Sequence, residues 1–386
     1  MKTALWRNAH WRGVTAAFVY NGLLFGVWAS RIPAFKEHFA LDPKTLGLLL
    51  LAIAGGAIVS FPLAGALSER WGADRLTIRC AWLYGPALIL AALAPSPVIL
   101  GAALFLFGAV QGSMDVAMNA WGARVETRMS RPTMSIFHAM FSLGAGLGAA
   151  SGYLAAHSDI TVLLHFAAMV LVLGTLALIV MMAARMPREQ LAAHDEKKPL
   201  VVIPSGTLLL LGLMAFAISM GEGAMADWSA VFLREAMKAS EAQAALGYTA
   251  FSITMVLTRL SGGVLVHYLG PVRTAQASGL IAFIGLITVI FAPDLALALI
   301  GFALIGIGYA TVIPLVFSRA ANDPGMRPGP AIAGVATLSY GGMLLGPPLV
   351  GFVAQVAGLR LSFAMLALLA LFAAAMAPNL RMPPKG

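Results

Sequence analysis

Four ionisable side chains lie within long apolar stretches of this sequence: Asp115, Glu222, Asp227 and Arg259. Placing such a group inside a membrane costs roughly 2.5 to 3.5 kcal/mol, so each is a functional candidate with an expected partner. A carboxylate kept away from water can take up and release a proton as its surroundings change. We therefore predict that the three acids take part in proton coupling.

Asp115 belongs to a polar stripe. Gln111, Asp115 and Asn119 follow one another at four-residue intervals, which places them on one face of a helix. Such a stripe cannot face lipid, so it must face the interior of a helix bundle. One interpretation is substrate binding by Gln111 and Asn119, with Asp115 as the proton acceptor. The alternative is a structural polar contact between two spans.

Glu222 and Asp227 are five residues apart, so on a regular helix they point about 140° away from each other. We expect Glu222 to face a cavity, to carry the proton and to pair with Arg259, which is also a candidate substrate ligand. The alternative for Arg259 is that it reaches to the membrane interface. We expect Asp227 to pair with Arg31 in a latch that closes an external gate, the alternative being a solvated interfacial acid.

Other polar and aromatic residues are weaker candidates. His138, one to two turns inside a span, is a candidate proton relay, whereas His165 is interpreted as structural. Aromatic faces beside a few hydrogen-bonding groups suit a small amphipathic solute. The corresponding candidates for lining a cavity are Asn21, Trp28, Trp228, Tyr309 and Tyr340. The alternative for each of them is a role in packing or a position at the membrane interface.

The composition identifies lipid as the solvent for much of this chain. It has 386 residues, of which 60% are hydrophobic and 11% are charged, whereas soluble domains carry about 25% charged residues. The net charge of +9 comes from basic residues that cluster at the ends of apolar stretches, as orientation signals do, which argues against nucleic acid as a partner. Phosphate-binding loops, nucleophile elbows and metal-spaced His/Cys clusters are lacking, so we expect no enzyme activity, cofactor or metal site.

Segments of about 20 apolar residues can cross a bilayer as helices. The sequence predicts an all-α membrane protein with twelve transmembrane helices. Their approximate ranges are 13–33, 45–68, 76–95, 97–121, 133–156, 160–184, 206–233, 243–267, 273–292, 295–318, 330–355 and 359–378.

An internal repeat divides these spans into two groups of six. The stretch Gly65–Arg75 matches Gly263–Arg273 at an offset of 198 residues, and Trp28 matches Trp228 at an offset of 200. We therefore predict two pseudo-symmetric six-helix bundles, residues 1–185 and 206–386, joined by a cytoplasmic linker, 186–205. Most Lys and Arg residues fall on the side that contains both termini, which the positive-inside rule places in the cytoplasm.

Glycines recur at every fourth position in span five and span eleven. They are Gly144, Gly148 and Gly152 in the first, and Gly342 and Gly346 in the second. Small residues at this spacing predict close packing between helices. The alternative is a smooth seam along which helices slide during gating.

The stretch GALSERWGADR after span two resembles the signature of the major facilitator superfamily. The matching residues are Gly65, Glu69, Arg70, Gly72 and Arg75, with Asp74 at a position where a basic residue is more usual. The resemblance implies a gating role for these residues, with Glu69 and Arg70 forming a clasp beside helix ends. The alternative is that they act only as an orientation signal.

The stretch Gln111–Glu126 is similar to the fucose-permease-like branch of that superfamily. Two departures argue against a drug–proton antiporter. Gly108 stands where such exporters carry an Arg, and span five lacks their Gly-Pro signature.

The resemblance implies a secondary active transporter of the bacterial inner membrane that works by alternating access. We expect proton-coupled symport of a small polar solute, with a sugar as one candidate and sodium as an alternative coupling ion. One alternative is proton-driven efflux of small amphipathic compounds. Another is a membrane sensor or assembly partner without transport. The expected partners are the solute, protons and the lipid bilayer, and the expected state is a monomer.

Overall fold

The computed structural model describes residues 7–129, 133–185, 205–326 and 328–381. Within these ranges the chain is built of helices, without a β-strand. The first six are α1 (Ala9–His38), α2 (Pro43–Trp71), α3 (Ala73–Ala92), α4 (Pro97–Met129), α5 (Met134–His157) and α6 (Val162–Ala183). The remaining four are α7 (Thr207–Ala236), α8 (Glu241–Phe291), α9 (Leu295–Ala321) and α10 (Pro328–Met376), followed by a short 3₁₀ turn, Ala377–Leu380.

Nine helices in the described ranges are long and apolar enough to cross a membrane. Two of them, α8 and α10, contain a break at Gly270 and Gly358, so each supplies two of the predicted spans. The shorter α3 adds the predicted third span. The described part of the chain therefore confirms the predicted twelve-helix membrane fold.

The corners between helices repeat along the chain. Three pairs of residues with positive φ lie 198, 198 and 199 positions apart: Ala40 and Lys238, Gly72 and Gly270, and Asp159 and Gly358. A positive φ is unfavourable for residues with a Cβ, so its recurrence at offsets of 198 or 199 indicates a similar backbone path in the two halves of the sequence. The offset is the one seen between the two matching loop sequences.

The chain forms two compact units. Unit 1 comprises the described residues of Met1–Leu41, Leu49–Asp195 and Glu241–Thr249, and unit 2 those of Asp42–Leu48, Glu196–Ser240 and Ala250–Gly386. The predicted linker, 186–205, lies almost entirely outside the described residues. Its role as a boundary between two bundles stays a prediction.

In unit 1, α1 packs directly against α5 because α5 presents glycines. A Cβ added at Gly144 would lie 2.1 Å from the carbonyl oxygen of Val19, and one added at Gly148 would lie 2.1 Å from that of Leu23. Both distances are far below van der Waals contact, so only glycine allows this approach. The predicted close packing at these two glycines is confirmed.

In unit 2, α7 packs in the same way against the first part of α10. A Cβ at Gly342 would lie 2.1 Å from the carbonyl oxygen of Phe216, and one at Gly346 would lie 2.9 Å from that of Met220. This confirms the predicted packing role of the span-eleven glycines. It also fixes the rotation of α7, the helix that carries Glu222 and Asp227.

Candidate functional site

The predicted ion pair between Glu222 on α7 and Arg259 on α8 is present. Arg259 Nη2 donates to both carboxylate oxygens of Glu222, at 3.1 Å and 3.3 Å. The side chains are 13% exposed for Arg259 and 28% exposed for Glu222. The pair is thus mostly but not fully buried within unit 2.

Tyr309 lies against the backbone of the residue that precedes Glu222. A Cβ at Gly221 would be 2.2 Å from the Tyr309 hydroxyl oxygen, so the glycine makes room for the phenol. The Tyr309 ring is buried, and its hydroxyl has no hydrogen-bond partner within the described part of the chain. A buried hydroxyl without a partner is unfavourable, which marks this position as a candidate for interaction with a solute.

Arg31 forms an ion pair within unit 1 with an acid that the sequence analysis did not consider. Its Nε lies 3.3 Å from Oε1 of Glu241, the first residue of α8, and its Nη2 donates to the carbonyl oxygen of Ile160 at 2.7 Å. The guanidinium is buried in unit 1, to which Glu241 also belongs. The ion-pair partner of Arg31 within unit 1 is therefore Glu241, whereas the predicted Arg31–Asp227 latch would join the two units and stays a prediction. Asp227 is a buried acid of α7 in unit 2.

The polar stripe of α4 faces the inside of unit 1. Asn119 Nδ2 donates to the Asp115 carboxylate at 3.2 Å and to the Asp115 carbonyl oxygen at 2.9 Å. Gln111 Nε2 donates to Asn21 Oδ1 at 3.5 Å, and Asn21 Nδ2 donates to the Gln111 carbonyl oxygen at the same distance. The three stripe residues are half-buried and Asn21 is fully buried. The stripe thus links α4 to α1 and still presents polar atoms to its surroundings.

Tyr84 is a further residue of this group that sequence reasoning missed. Its hydroxyl donates to the Asn21 carbonyl oxygen at 3.5 Å, and its ring stacks on Phe107 with the centroids 4.8 Å apart. Trp28 lies 6.3 Å from the same Phe107 ring. The sequence signal that could have indicated Tyr84 was the presence of a polar hydroxyl inside an apolar span.

The other candidates are dispersed. Trp28 and Trp228 are fully buried, whereas Tyr340 is exposed. His138 is exposed on α5, and its ring packs edge-on against the Phe18 ring with the centroids 5.3 Å apart. His165 is buried, with Nε2 3.0 Å from the Ser151 hydroxyl oxygen.

The signature loop between α2 and α3 turns at Gly72, where φ is +95°. Asp74 is buried in the first turn of α3, where a carboxylate interacts favourably with the helix dipole. This explains an acid at a position where a base is more usual. Glu69 and Arg70 are exposed at the end of α2, and the predicted clasp stays a prediction.

Comparisons with known proteins agree with this architecture. The family profile described as Major Facilitator Superfamily matches residues 14–328 and, in an overlapping second match, residues 214–386. An uncharacterised transporter of Sinorhizobium fredii is 43% identical over 371 residues, which cover 96% of this chain and 98% of that protein. An uncharacterised MFS-type transporter of Yersinia pestis is 36% identical and covers 94% and 93%.

Solved structures share the fold at low sequence identity. A D-xylose-proton symporter has a TM-score of 0.75 at 13% identity and covers 97% of each chain. A mutant of a nucleoside transporter also has a TM-score of 0.75, at 12% identity, and covers 97% of this chain and 100% of its own. A mutant of the Escherichia coli fucose:proton symporter has a TM-score of 0.64 at 17% identity and covers 96% and 98%.

The profile match, the named relatives and the twelve-helix architecture together describe a multi-pass membrane transporter and not an enzyme. The chain belongs to the major facilitator superfamily.

Proposed function

We propose that this protein is a proton-coupled secondary transporter that takes up a small polar solute by alternating access. The observation that carries the proposal is the Glu222–Arg259 ion pair, which lies between two apolar helices and is only partly buried. An intramembrane carboxylate is costly to place, so by default it is a candidate for a proton or substrate pathway.

The pair supplies a direct coupling mechanism. When Glu222 is ionised, its carboxylate holds Arg259 through both oxygens. When Glu222 is protonated, the Coulomb attraction is lost, and the guanidinium becomes available to an oxygen atom of the solute. Proton binding and solute binding then favour the same state, which is the requirement for symport.

The half-buried stripe of unit 1 supports a solute with several hydroxyl groups. Gln111 and Asn119 offer both donors and acceptors, and Asp115 accepts hydrogen bonds when ionised. The structural neighbours named as transporters of xylose, fucose and nucleosides are too distant in sequence to transfer a substrate. They do define a sensible first panel of pentoses, hexoses and nucleosides.

The first experiment identifies the solute by thermal stability. Purified protein is heated at two pH values with each compound of the panel, because a ligand that binds the folded state stabilises it by mass action. The compound found is then added to proteoliposomes that contain a trapped pH-sensitive dye. Symport predicts acidification of the lumen when the compound enters, and efflux predicts proton movement of the opposite sign.

The decisive variant is Glu222→Gln, with Asp323→Asn as its matched control. Asp323 also pairs with an arginine of unit 2, Arg319, at 3.1 Å, but the two residues are only four positions apart, at the C-terminal end of α9 and just beyond it. We expect Glu222→Gln to abolish solute-driven proton movement and to retain exchange of labelled solute across the membrane. Asp323→Asn should retain both. Undiminished proton movement in Glu222→Gln, or the lack of ligand-dependent proton movement in wild-type protein, would contradict the proposal.

We further propose that the protein works as a monomer in the bacterial inner membrane with both termini in the cytoplasm. The Lys and Arg distribution supports this orientation. Reporter fusions at the two termini test it: a phosphatase that is active only outside the cytoplasm should be inactive at both ends.

A further inference from the structure

A groove on unit 1 has no part in the proposed transport mechanism. It lies between α2, α3 and α4 and has a volume of about 600 Å³. Its walls include Leu63, Trp82 and Leu83, whose side chains are 62%, 57% and 58% exposed. This volume is within the usual range for a small-molecule site. In a membrane-spanning unit, an open apolar groove of this kind is accessible to the hydrocarbon chains of lipids.

One end of the groove carries a positive charge in a defined position. Arg79 lines the groove and lies over the ring of Trp71, with Cζ 4.1 Å from the ring centroid. This cation–π contact restrains the guanidinium while leaving its N–H donors available. Arg75, one turn earlier on α3, adds a second positive charge at the same end of the helix.

The groove also carries limited polarity along its length. Ser60 and Ser113 line it, and the Ser60 hydroxyl is already satisfied by the Ala57 carbonyl oxygen at 2.7 Å. The lining is otherwise mainly apolar, and acidic residues are not among the described lining residues. A long apolar chain with an anionic head matches this distribution, whereas a sugar would leave its hydroxyl groups without partners.

We propose that this groove binds an anionic phospholipid, with an acyl chain along the α2–α4 walls and the phosphate at Arg79. Tryptophan and arginine together at the head end fit the interface between the headgroups and the hydrocarbon. A basic residue near the membrane surface attracts anionic headgroups by about 1 kcal/mol, which corresponds to about a fivefold preference per residue. The ligand class is a phosphatidylglycerol-like lipid.

The site can be tested with lipids that carry bromine on an acyl chain, because bromine quenches tryptophan fluorescence on contact. Wild-type full-length protein is placed in bilayers of phosphatidylcholine that contain increasing amounts of brominated phosphatidylglycerol or brominated phosphatidylcholine. Trp82→Phe identifies the part of the quenching that comes from the groove. We expect phosphatidylglycerol to occupy the Trp82 site about fivefold more tightly than phosphatidylcholine.

Arg79→Gln should bring the ratio of phosphatidylglycerol affinity to phosphatidylcholine affinity at the Trp82 site close to one, and Arg79→Lys should keep most of the wild-type ratio. The matched control is Arg273→Gln, which removes an exposed arginine from the corresponding loop of unit 2 and should leave the ratio unchanged. Arg79 is itself exposed, so these variants are expected to fold.

Three outcomes would overturn the proposal. The first is a headgroup preference that survives Arg79→Gln. The second is competition by millimolar inorganic phosphate, which would indicate a site for a free anion. The third is a lack of Trp82-dependent quenching together with a dimer in analytical ultracentrifugation, which would mean that a second copy covers the groove.

Discussion

The Glu222–Arg259 pair permits a quantitative prediction that does not require the substrate. Coulomb attraction between unit charges 3.1 Å apart is about 5 kcal/mol at an effective dielectric constant of about 20. Desolvation and side-chain ordering offset much of this. Exposed pairs contribute about 0 to 1 kcal/mol, and breaking a buried pair costs about 3 to 5 kcal/mol. With exposures of 13% and 28%, we expect a coupling energy of about 1 to 2 kcal/mol.

A double-mutant cycle isolates this energy from the other effects of each substitution. The four proteins are wild type, Glu222→Gln, Arg259→Gln and the double variant, each unfolded reversibly by increasing the proportion of sodium dodecyl sulfate in mixed micelles. The free energy of unfolding is measured for each. The loss in the double variant should be smaller than the sum of the single losses by the coupling energy, because the second substitution removes a residue that has already lost its partner.

The control cycle combines Arg259→Gln with Asp227→Asn. Both residues belong to unit 2, but Asp227 is on the opposite side of α7 from Glu222, so these substitutions should add to within about 0.5 kcal/mol. A coupling energy for Glu222 and Arg259 no larger than that of the control would refute the reasoning. The contact would then be an incidental proximity, and the proposed coupling mechanism would lose its basis.

Three further predictions concern packing and burial. Gly148→Ala should destabilise the protein by about 2 kcal/mol or more, because the added Cβ would lie 2.1 Å from a backbone carbonyl oxygen. Gly263→Ala should stabilise it by about 0.5 to 1 kcal/mol, because no described heavy atom lies within 4 Å of the added Cβ. Thermal unfolding of the two variants tests both signs. Tyr309→Phe should raise the free energy of unfolding by about 1 kcal/mol, because it removes a buried hydroxyl that has no described partner. The same variant should bind the solute more weakly. Equal solute affinity in Tyr309→Phe and wild-type protein would show that Tyr309 is not part of the site. Arg31→Gln should destabilise more than Glu241→Gln, because Arg31 also donates to a backbone carbonyl; the reverse order in chemical unfolding would contradict this account.

The fold was predictable because its main signal is the length of apolar segments, which lipid imposes directly. The Glu222–Arg259 pair was predictable for a related reason: a charge in the middle of a span needs a partner, and the adjacent span offered one. The glycine spacing of α5 likewise has a local physical cause. These features depend on sequence neighbours or on a single energetic rule.

The partner of Arg31 was not predictable in this way. Glu241 is the first residue of α8, outside the apolar segment, so the search for acids within spans passed over it. Tyr84 was missed because its hydroxyl interacts with a backbone carbonyl, that of Asn21 on another helix, and sequence alone gives no signal for such a contact. Both cases depend on how helices are rotated about their axes, which small differences in packing decide.

The paired corners also have a practical consequence for mutational studies. Since Ala40 and Lys238 both have a positive φ, of 49° and 54°, at equivalent points of the internal repeat, each can act as the other's reference. The second pair is different, because Gly358 has a φ of 82° and a ψ of 162°, a region that essentially only glycine adopts, whereas Asp159 has a φ of 53°. The effect of a glycine substitution at Ala40 can therefore be compared directly with that of the same substitution at Lys238, 198 positions later.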